Sequence, residues 1–206
     1  MASERAGGRV LESVSAFVSR RLKLKVNLDK SGVYPASRGA LLGFGFFKRD
    51  GKIKVRIDPM AKKAAKKRIK EITARSWGIS MGKRIHALNR FISGWCAYFG
   101  FAQTPSVFAE FDEWLRRRLR QVHWKQWKRG RTRAGKLQSL GIPRGQARQW
   151  AYTRKGSWRI AGSAVLSRAL PNAYWASLGL RGFERSYGHV REVWRTAGCG
   201  PACPVV

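Results

Sequence analysis

The chain has 206 residues, of which 44% are hydrophobic, and its formal net charge is +32. This length supports one substantial domain or two small units, and the apolar fraction excludes a disordered polar tail. The longest apolar run, at 39–47, is nine residues, which is under half the length of a membrane-spanning helix. No long apolar segment follows Glu4 and Arg5, so no secretory signal is expected.

The positive charge is unevenly distributed along the chain. Between Trp114 and Phe183 there are seventeen Lys and Arg residues and no carboxylate. A surface that is merely solvated mixes its signs, and self-repulsion of this size destabilises a compact state unless a polyanion neutralises it. Nucleic acid is the expected partner, because each neutralised phosphate releases counterions. An anionic membrane surface is the weaker alternative from charge alone.

The first 57 residues read as a small α/β piece. Apolar residues at helical spacing predict a helix over about 4–22. The segment LLGFGFF and the following KRDGKIKVRI predict two strands around Asp50–Gly51, a favoured two-residue hairpin turn. Such a piece is too small for a sheet domain of its own, and we interpret it as the trailing edge of a larger one.

Three longer helices follow, and their short links favour an antiparallel bundle. Asp58–Pro59 is an N-cap followed by proline and predicts a helix over 59–76. An apolar stripe predicts the second helix over 81–101, and Thr104–Pro105 begins a third that extends to about 128. The first of these helices places five lysines opposite its apolar face.

Helical patterning weakens beyond residue 130. Pro143 predicts a helix through Tyr152, TRKGSW reads as a turn, and Ser163 and Pro171 each predict the start of a short helix. The last residues have no periodicity. The predicted fold class is therefore mainly α, with a small α/β N-terminal piece, an antiparallel three-helix bundle and a basic helical C-terminal region.

The stretch WLRRRLRQVHWKQWKRGRTR, at 114–133, has two distinct faces when it is drawn as a helix. The predicted buried stripe contains Phe108, Phe111, Leu115, Leu119 and Val122. The opposite side contains Arg116, Arg117, Arg120, Trp124, Trp127 and Lys128. Guanidinium groups beside exposed indoles suit RNA, because arginine pairs with phosphate and aromatic rings stack on splayed bases. The alternative is that both tryptophans are buried against later helices; His123, at the edge of the two faces, has no catalytic partner.

The predicted RNA-binding surface thus combines the lysines of the first bundle helix with the basic and aromatic residues of the third and of its continuation. Its members are Lys62, Lys63, Lys66, Lys67, Lys70, Arg116, Arg117, Arg120, Trp124, Lys125, Trp127, Lys128, Arg129, Arg131 and Arg133.

No catalytic centre is predicted. The clustered acids Glu110, Asp112 and Glu113 are interpreted as groups that complement the dipole of the third bundle helix. The sequence contains no P-loop, no HExxH motif and no zinc pattern. From its residues alone, the chain is expected to bind and not to catalyse.

The three cysteines predict neither a disulfide framework nor a metal site. Cys96 lies on an apolar helical stripe and is expected to be a buried thiol. Cys199 and Cys203 have only His189 as a further soft ligand nearby, which is too few for a four-ligand site. A reducing cytoplasmic location of the bacterial type is expected.

The segment NRFISGWCAYFGFAQTPSVFAEFDEWLRRRLRQVHWKQWKRGRTR, at 89–133, resembles the maturase-specific region of group II intron reverse transcriptase–maturases, also called domain X or thumb. The positions that carry the resemblance are Asn89–Arg90, Gly94–Trp95, Tyr98–Phe99, Phe108, Asp112, Trp114, Arg116–Leu119 and Trp124–Lys128. LKLKVNLDKSGV and LLGFGF resemble the last palm segments of such an enzyme. LGI-PRG and RKGSWRIAGS resemble the later region of bacterial members, so the likeness covers roughly 5–195.

The resemblance implies a domain organisation and a biological setting. Residues 1–57 would be the end of a reverse-transcriptase palm, 58–133 the domain X bundle, 134–195 a basic helical extension and 196–206 a flexible tail. Members of this family, which belong to mobile genetic elements, bind intron RNA and the template–primer duplex. Their binding stabilises the ribozyme, which then performs its own splicing.

One departure from the family bears on catalysis. The family's polymerase site requires a Tyr-x-Asp-Asp turn and an earlier Asp, both upstream of the segment that resembles 5–48, and this sequence has no Asp-Asp pair. We therefore expect no polymerisation by this chain alone and no cofactor. Mg²⁺ would serve only the missing polymerase part or the RNA itself.

Three functional hypotheses follow. The first is an RNA-binding maturase fragment that assists the splicing of structured intron RNA by charge neutralisation and stacking. The second is the C-terminal portion of an RNA-directed DNA polymerase, active only with the missing fingers and palm. The third is a structural ribonucleoprotein component.

Overall fold

A computed structural model describes residues 4–35, 37–74 and 76–196, and it confirms the mainly helical fold class. The helices are α1 (Glu4–Arg21), α2 (Pro59–Ile72), α3 (Met81–Phe99), α4 (Pro105–Gln126), α5 (Gly130–Ser139), α6 (Arg144–Ala151), α7 (Ser157–Ala161), α8 (Ala164–Ala169), α9 (Asn172–Ser177) and α10 (Phe183–Thr196). The strands are β1 (Ala40–Leu41), β2 (Phe44–Arg49) and β3 (Lys52–Ile57). None of the helices within these ranges is long and apolar enough to cross a bilayer.

The predicted hairpin is present and extends into a three-stranded antiparallel sheet in the order β1-β2-β3. Asp50 and Gly51 both have positive φ, 55° and 73°, as a two-residue turn between twisted strands requires. Phe44 at the start of β2 packs on Phe99 at the end of α3, with ring centroids 5.0 Å apart. The sheet is therefore attached to the helical region through an aromatic contact.

Helix α1 forms where the sequence predicts it, but none of its residues is buried. Val10, Val14 and Phe17, which give the helix its apolar stripe, are each more than half exposed. The apolar face of α1 is thus left uncovered by the rest of the described chain.

The predicted three-helix bundle is formed by α2, α3 and α4. Lys66 in α2 contacts Glu110 in α4, and Thr73 just after α2 contacts Arg118 further along α4. Helices α2 and α4 therefore run in the same direction. Trp95 of α3 packs on Phe111 of α4, with centroids 5.0 Å apart, so α3 packs against α4 within the bundle.

Helix α10 is a fourth member of the bundle that the sequence reasoning missed. Its Phe183 packs edge-on against Phe111, and its Tyr187 stacks on Phe108 at 4.0 Å. The residue numbers of these contacts rise along α10 while they fall along α4, so α10 is antiparallel to α4. Tyr187 also donates a hydrogen bond to the Ala102 carbonyl, at 2.8 Å.

The acids of α4 do not act as the sequence suggested, because none lies in the first turn of the helix. Asp112 is 5% exposed and accepts hydrogen bonds from the backbone N–H groups of Phe183 and Glu184, at 2.8 and 3.1 Å. It thereby caps the N-terminus of α10 from a different helix. Burial nevertheless raises the pKa of this carboxyl above its ordinary value, although both hydrogen bonds oppose the shift. Glu110 instead pairs with Lys66.

The helix starts before α2 and α4 differ from each other. The Asp58 carboxylate accepts from the Met60 N–H at 2.8 Å, which confirms the predicted cap of α2. Thr104 stands at the corresponding position of α4, but its hydroxyl makes no capping hydrogen bond. Proline at the first helical position is therefore the sequence feature that correctly predicts the start of both helices.

The region after α4 is more helical than the sequence indicated. The starts predicted at Pro143, Ser163 and Pro171 are confirmed by α6, α8 and α9, and Ser163 accepts from the Leu166 N–H at 3.3 Å. Helix α5 was missed, and α7 begins inside the turn predicted at TRKGSW. The domain boundary predicted at residue 133 falls within α5, and the division into domains stays a prediction. The first residue of the predicted tail 196–206, Thr196, is the last residue of α10, and 197–206 lie outside the described residues.

Candidate nucleic-acid interface

The five lysines of α2 form a row on the outer face of that helix, which we call the lysine row. Lys63, Lys67 and Lys70 are exposed, whereas Lys62 and Lys66 are half-buried. All five line one shallow surface concavity of about 680 Å³, together with Glu110. Only Lys66 forms an ion pair with a described residue, through its contact with Glu110. The row therefore presents several ammonium groups to solvent without counter-charges.

This concentration of like charge is unfavourable for the helix that carries it. Lysines four positions apart, such as Lys62 and Lys66 or Lys63 and Lys67, repel each other at a cost of about 0.2–0.5 kcal/mol per pair. The buried side chains of Ala65, Ile69 and Ile72 hold α2 in the bundle in spite of this repulsion. A bound polyanion would remove the repulsion.

The predicted basic face of α4 is covered by later helices, which corrects the sequence-based interpretation. The Arg117 guanidinium lies 4.2 Å from the ring centroid of Trp158 in α7 and donates to its carbonyl. Arg120 donates to the Ala161 carbonyl at 3.2 Å and to the Ser167 hydroxyl at 3.0 Å. Both side chains therefore attach α7 and α8 to α4, and neither stands free to meet a phosphate. Arg116 is half-buried.

The prediction that Trp124 and Trp127 stack on RNA bases is wrong, because both are buried, at 2% and 8% exposure. Their indole rings face each other edge-on at 6.3 Å. Arg133 lies over the Trp124 ring at 4.7 Å and donates to the Trp127 carbonyl at 2.8 Å. These three residues belong to the packing between the end of α4 and the start of α5.

The remaining predicted residues do reach solvent. Lys125, Lys128, Arg129 and Arg131 are exposed at the junction of α4 and α5. None of them forms an ion pair with another residue in the described part of the chain. The candidate interface therefore consists of the lysine row and of this junction, and it excludes the middle of α4.

His123 lies in an aromatic cluster at the end of α4. Its ring stacks between Trp127 and Trp175, with centroids 5.7 and 5.4 Å away, and its Nε2 lies 3.3 Å from the Tyr174 hydroxyl. The pKa of His123 is lowered to about 4, chiefly by burial; the charge of Lys136 contributes to the lowering and a hydrogen bond with Gln126 opposes it. The imidazole is therefore neutral in the folded protein at physiological pH.

This cluster predicts a loss of stability in mild acid. In the unfolded chain His123 gains a proton near pH 6.5, while the folded protein resists protonation down to about pH 4. The contribution of neutral His123 to the free energy of unfolding is therefore complete above about pH 6.5. It is lost as the pH falls, by up to about 3 kcal/mol. We expect His123→Phe to remove this part of the pH dependence in urea unfolding measured between pH 7 and 4.

Comparison of each variant with the wild-type chain separates the effect of His123 on stability from the effect of the carboxylates, which titrate in the same pH range. His86→Gln, at an exposed position of α3, is the matched control and should follow the wild-type pH dependence. Equal pH dependence of His123→Phe and the wild-type chain would contradict the argument.

Two further predictions concern thiols and metals. Cys96 is fully buried, as the sequence predicts, and burial raises the pKa of its thiol to about 12. Among residues 4–35, 37–74 and 76–196, no three His, Cys, Asp or Glu side chains are grouped so as to hold a metal ion. Cys199 and Cys203 lie outside the described residues.

Sequence reasoning missed two polar residues with structural roles in α3. Arg84 is fully buried and donates to the carbonyl of Ile72 at the end of α2 and to those of Ala74 and Trp77 in the segment that follows. Asn89 binds the backbone between α9 and α10. No spacing in the sequence distinguishes either residue from a solvated one. The signal for α10 was present, since Phe183, Tyr187 and later apolar residues recur at helical spacing.

The central part of this chain is similar to a known family. Residues 62–141 match the family model described as the group II intron, maturase-specific domain. The matched segment is less than half of the chain and contains the lysine row, the α2–α4 bundle and the junction of α4 and α5. It confirms the resemblance stated from the sequence. The chain has no significant match among curated proteins.

Proposed function

Because residues 62–141 are a group II intron maturase-specific domain, we propose that this protein binds group II intron RNA and assists its splicing. The observation that carries the proposal is the lysine row, which presents unpaired ammonium groups on the outer face of α2, inside the matched segment. Phosphate is the ligand that neutralises such a surface with the release of counterions.

Binding would rest on charge neutralisation. The exposed Lys125, Lys128, Arg129 and Arg131 extend the basic surface beyond the end of α4. Stacking by Trp124 and Trp127 is not part of the mechanism, because both rings are inside the fold. Lysine ammonium groups act as point charges that do not read base edges, so selectivity would come from the shape of the folded RNA.

The catalytic step of splicing would remain with the RNA. By neutralising phosphates that approach each other, a basic surface lowers the repulsion that opposes a compact RNA fold. The protein would therefore act by stabilising the active ribozyme, and it would be needed most where Mg²⁺ is too scarce to do so.

The test is the splicing rate of a group II intron ribozyme at a Mg²⁺ concentration too low for efficient self-splicing. We expect the protein to accelerate splicing, and we expect Lys63→Ala, Lys67→Ala and Lys70→Ala together to remove most of that acceleration. All three side chains are exposed and repel one another, so their loss should not lower the melting temperature of the protein.

The matched control removes three exposed lysines elsewhere, through Lys25→Ala, Lys30→Ala and Lys48→Ala. It lowers the net charge by the same amount and should retain the acceleration. If the control and the lysine-row variant lose activity equally, only total charge matters and the lysine row is not a site. If the unaltered chain does not change the splicing rate, the proposed function is wrong.

A second candidate function is the C-terminal portion of an RNA-directed DNA polymerase. It is favoured by α1, whose apolar residues Val10, Val14 and Phe17 are exposed and would be covered by additional polypeptide. Primer extension on an RNA template, with and without an added fingers–palm polypeptide, tests this candidate. Product only in the mixture would support it, and absence of product in both would argue against it.

A further inference from the structure

A groove lies between α3 and the part of the chain that runs from the end of α9 into α10. It consists of two adjoining concavities of about 880 and 420 Å³, which share Ser93 and Arg181 as lining residues. None of the residues predicted from the sequence to bind RNA lines it. It is therefore distinct from the lysine row and from the junction of α4 and α5.

The wall of the groove is held in place from two neighbouring helices. The Asn89 side chain of α3 donates to the Gly179 carbonyl and accepts from the Arg181 N–H, both at 2.8 Å. Asp112 of α4 accepts from the first two N–H groups of α10. The segment that carries Arg181 is thus fixed against the bundle before any ligand binds, which lowers the ordering cost of binding.

Basic side chains surround the groove. Arg90 comes from α3, Arg181 precedes α10 and Arg185 lies in its first turns, and all three are exposed. None of the three makes an ion pair with a described residue. His86 and His189 also line the concavities, and Glu192 is the carboxylate that lines the larger one. The balance of charge favours an anionic ligand.

Part of the lining of the groove consists of small residues. It includes Ser93 and Gly94 on α3, Gly179 before α10, and Ser186 and Gly188 on α10. A Cβ placed at Gly94, Gly179 or Gly188 would meet no atom within 4 Å, so open space lies above each of them. The backbone of a ligand can therefore approach the helices closely between the arginines.

We propose that this groove binds the phosphodiester backbone of a single RNA strand, with Arg90, Arg181 and Arg185 contacting its phosphates. The proposal rests on the proposed function and adds to it a second, recessed RNA-binding surface. The residues of α3 that line the groove, 86–96, span about 15 Å of helix, the length of a few nucleotides. A recess between two helices packed about 8–10 Å apart admits one strand more readily than the wide surface of a duplex.

The first test blocks the groove without changing charge. Ser93→Phe places a large ring over this lining at an exposed position of α3, and Ser106→Phe, at an exposed position of α4, is the matched control. The probes are a fluorescent 12-nucleotide oligouridylate and a group II intron ribozyme RNA. We expect Ser93→Phe to weaken oligouridylate binding by about 10-fold or more, and Ser106→Phe to leave it within about twofold of the wild-type value.

The second test removes the charges. Arg181→Ala with Arg185→Ala should weaken oligouridylate binding and lower the slope of log K against log[salt] by about 1.4, since two single-strand phosphate contacts are lost. Arg159→Ala with Arg168→Ala, at exposed positions of α7 and α8, removes the same charge elsewhere and should change the slope little. Urea unfolding of each variant confirms that the fold is intact.

The outcomes separate this proposal from the proposed function. If the arginine variant binds weakly but Ser93→Phe binds normally, RNA contacts the rim only and the groove assignment is overturned. If both groove variants bind normally while the lysine-row variant binds the ribozyme weakly, the groove is not a site and the proposed function stands. If the unaltered chain binds neither RNA, both proposals are overturned.

Discussion

Intron RNA is expected to be released steeply by salt: raising KCl from about 50 to about 200 mM should weaken binding by about 10³-fold. The physical reason is the number of basic side chains without counter-charges. Lys63, Lys67 and Lys70 are exposed on α2, and Lys125, Lys128, Arg129 and Arg131 are exposed at the junction of α4 and α5. Contact with about six phosphates is enough for an effect of this size.

The measurement is the equilibrium dissociation constant of the ribozyme RNA across a KCl series at constant Mg²⁺. The slope of log K against log[KCl] counts the phosphate contacts that are lost. The triple lysine-row variant should have a slope smaller by about 2–3, and the Lys25, Lys30 and Lys48 control should retain the wild-type slope. A wild-type affinity that changes less than tenfold across the series would contradict binding by charge neutralisation.

Arg84→Ala is expected to destabilise the folded protein by about 4 kcal/mol. Arg84 is fully buried in α3, and its guanidinium donates to the carbonyls of Ile72, Ala74 and Trp77. Arg118 of α4 donates to the carbonyls of Lys70 and Thr73 in the same region. The two arginines therefore donate hydrogen bonds to carbonyl groups at and just after the C-terminus of α2. Their positive charges also stabilise the negative end of its helix dipole.

The cost of the substitution has two parts. Alanine leaves buried carbonyls without donors, and it opens a cavity where the guanidinium lay. Burial and the neighbouring Arg118 both lower the pKa of Arg84. Keeping Arg84 charged in the folded protein therefore itself costs free energy. Arg84→Met, which fills the space and removes the charge, should therefore be less destabilising than Arg84→Ala.

Urea unfolding at pH 7 measures both variants, with Arg90→Ala, an exposed arginine of the same helix, as the control. The control should lie within about 0.5 kcal/mol of the wild-type chain. A change of less than about 1 kcal/mol in Arg84→Ala would show that the three hydrogen bonds are replaced by water, and that Arg84 does not hold α2 to α3.

The sequence predicted the elements whose signals are local. Proline and a capping residue at Asp58, alternation on either side of Asp50–Gly51 and the apolar stripe of α4 correspond to α2, the hairpin and the buried line Phe108 to Val122. Helices α5 and α7 were missed because each is short and its burial depends on a partner helix.

The candidate site was predicted only in part, because only some of its residues are placed by local spacing. The lysine row follows from the period of one helix, and the structure leaves most of it exposed. Arg117, Arg120, Trp124 and Trp127 lie opposite the core stripe of α4, where an isolated helix would expose them. Helix α7 covers part of that side, and α5 covers another part. A helical-wheel plot identifies the apolar face of a helix. It does not show that a polar face opposite is also covered by other helices.

The sequence alone therefore determined the basic character of this protein, its mainly helical class, the three bundle helices α2, α3 and α4, and the resemblance of residues 89–133 to a maturase-specific domain. These depend on composition and on spacing within single elements. Only the tertiary structure decided which arginines face solvent, that Asp112 caps α10, that His123 stacks on two indoles, and that Asn89 fixes the wall of a groove. Each of these depends on residues far apart in the chain, and such pairings arise from packing, which local spacing does not encode.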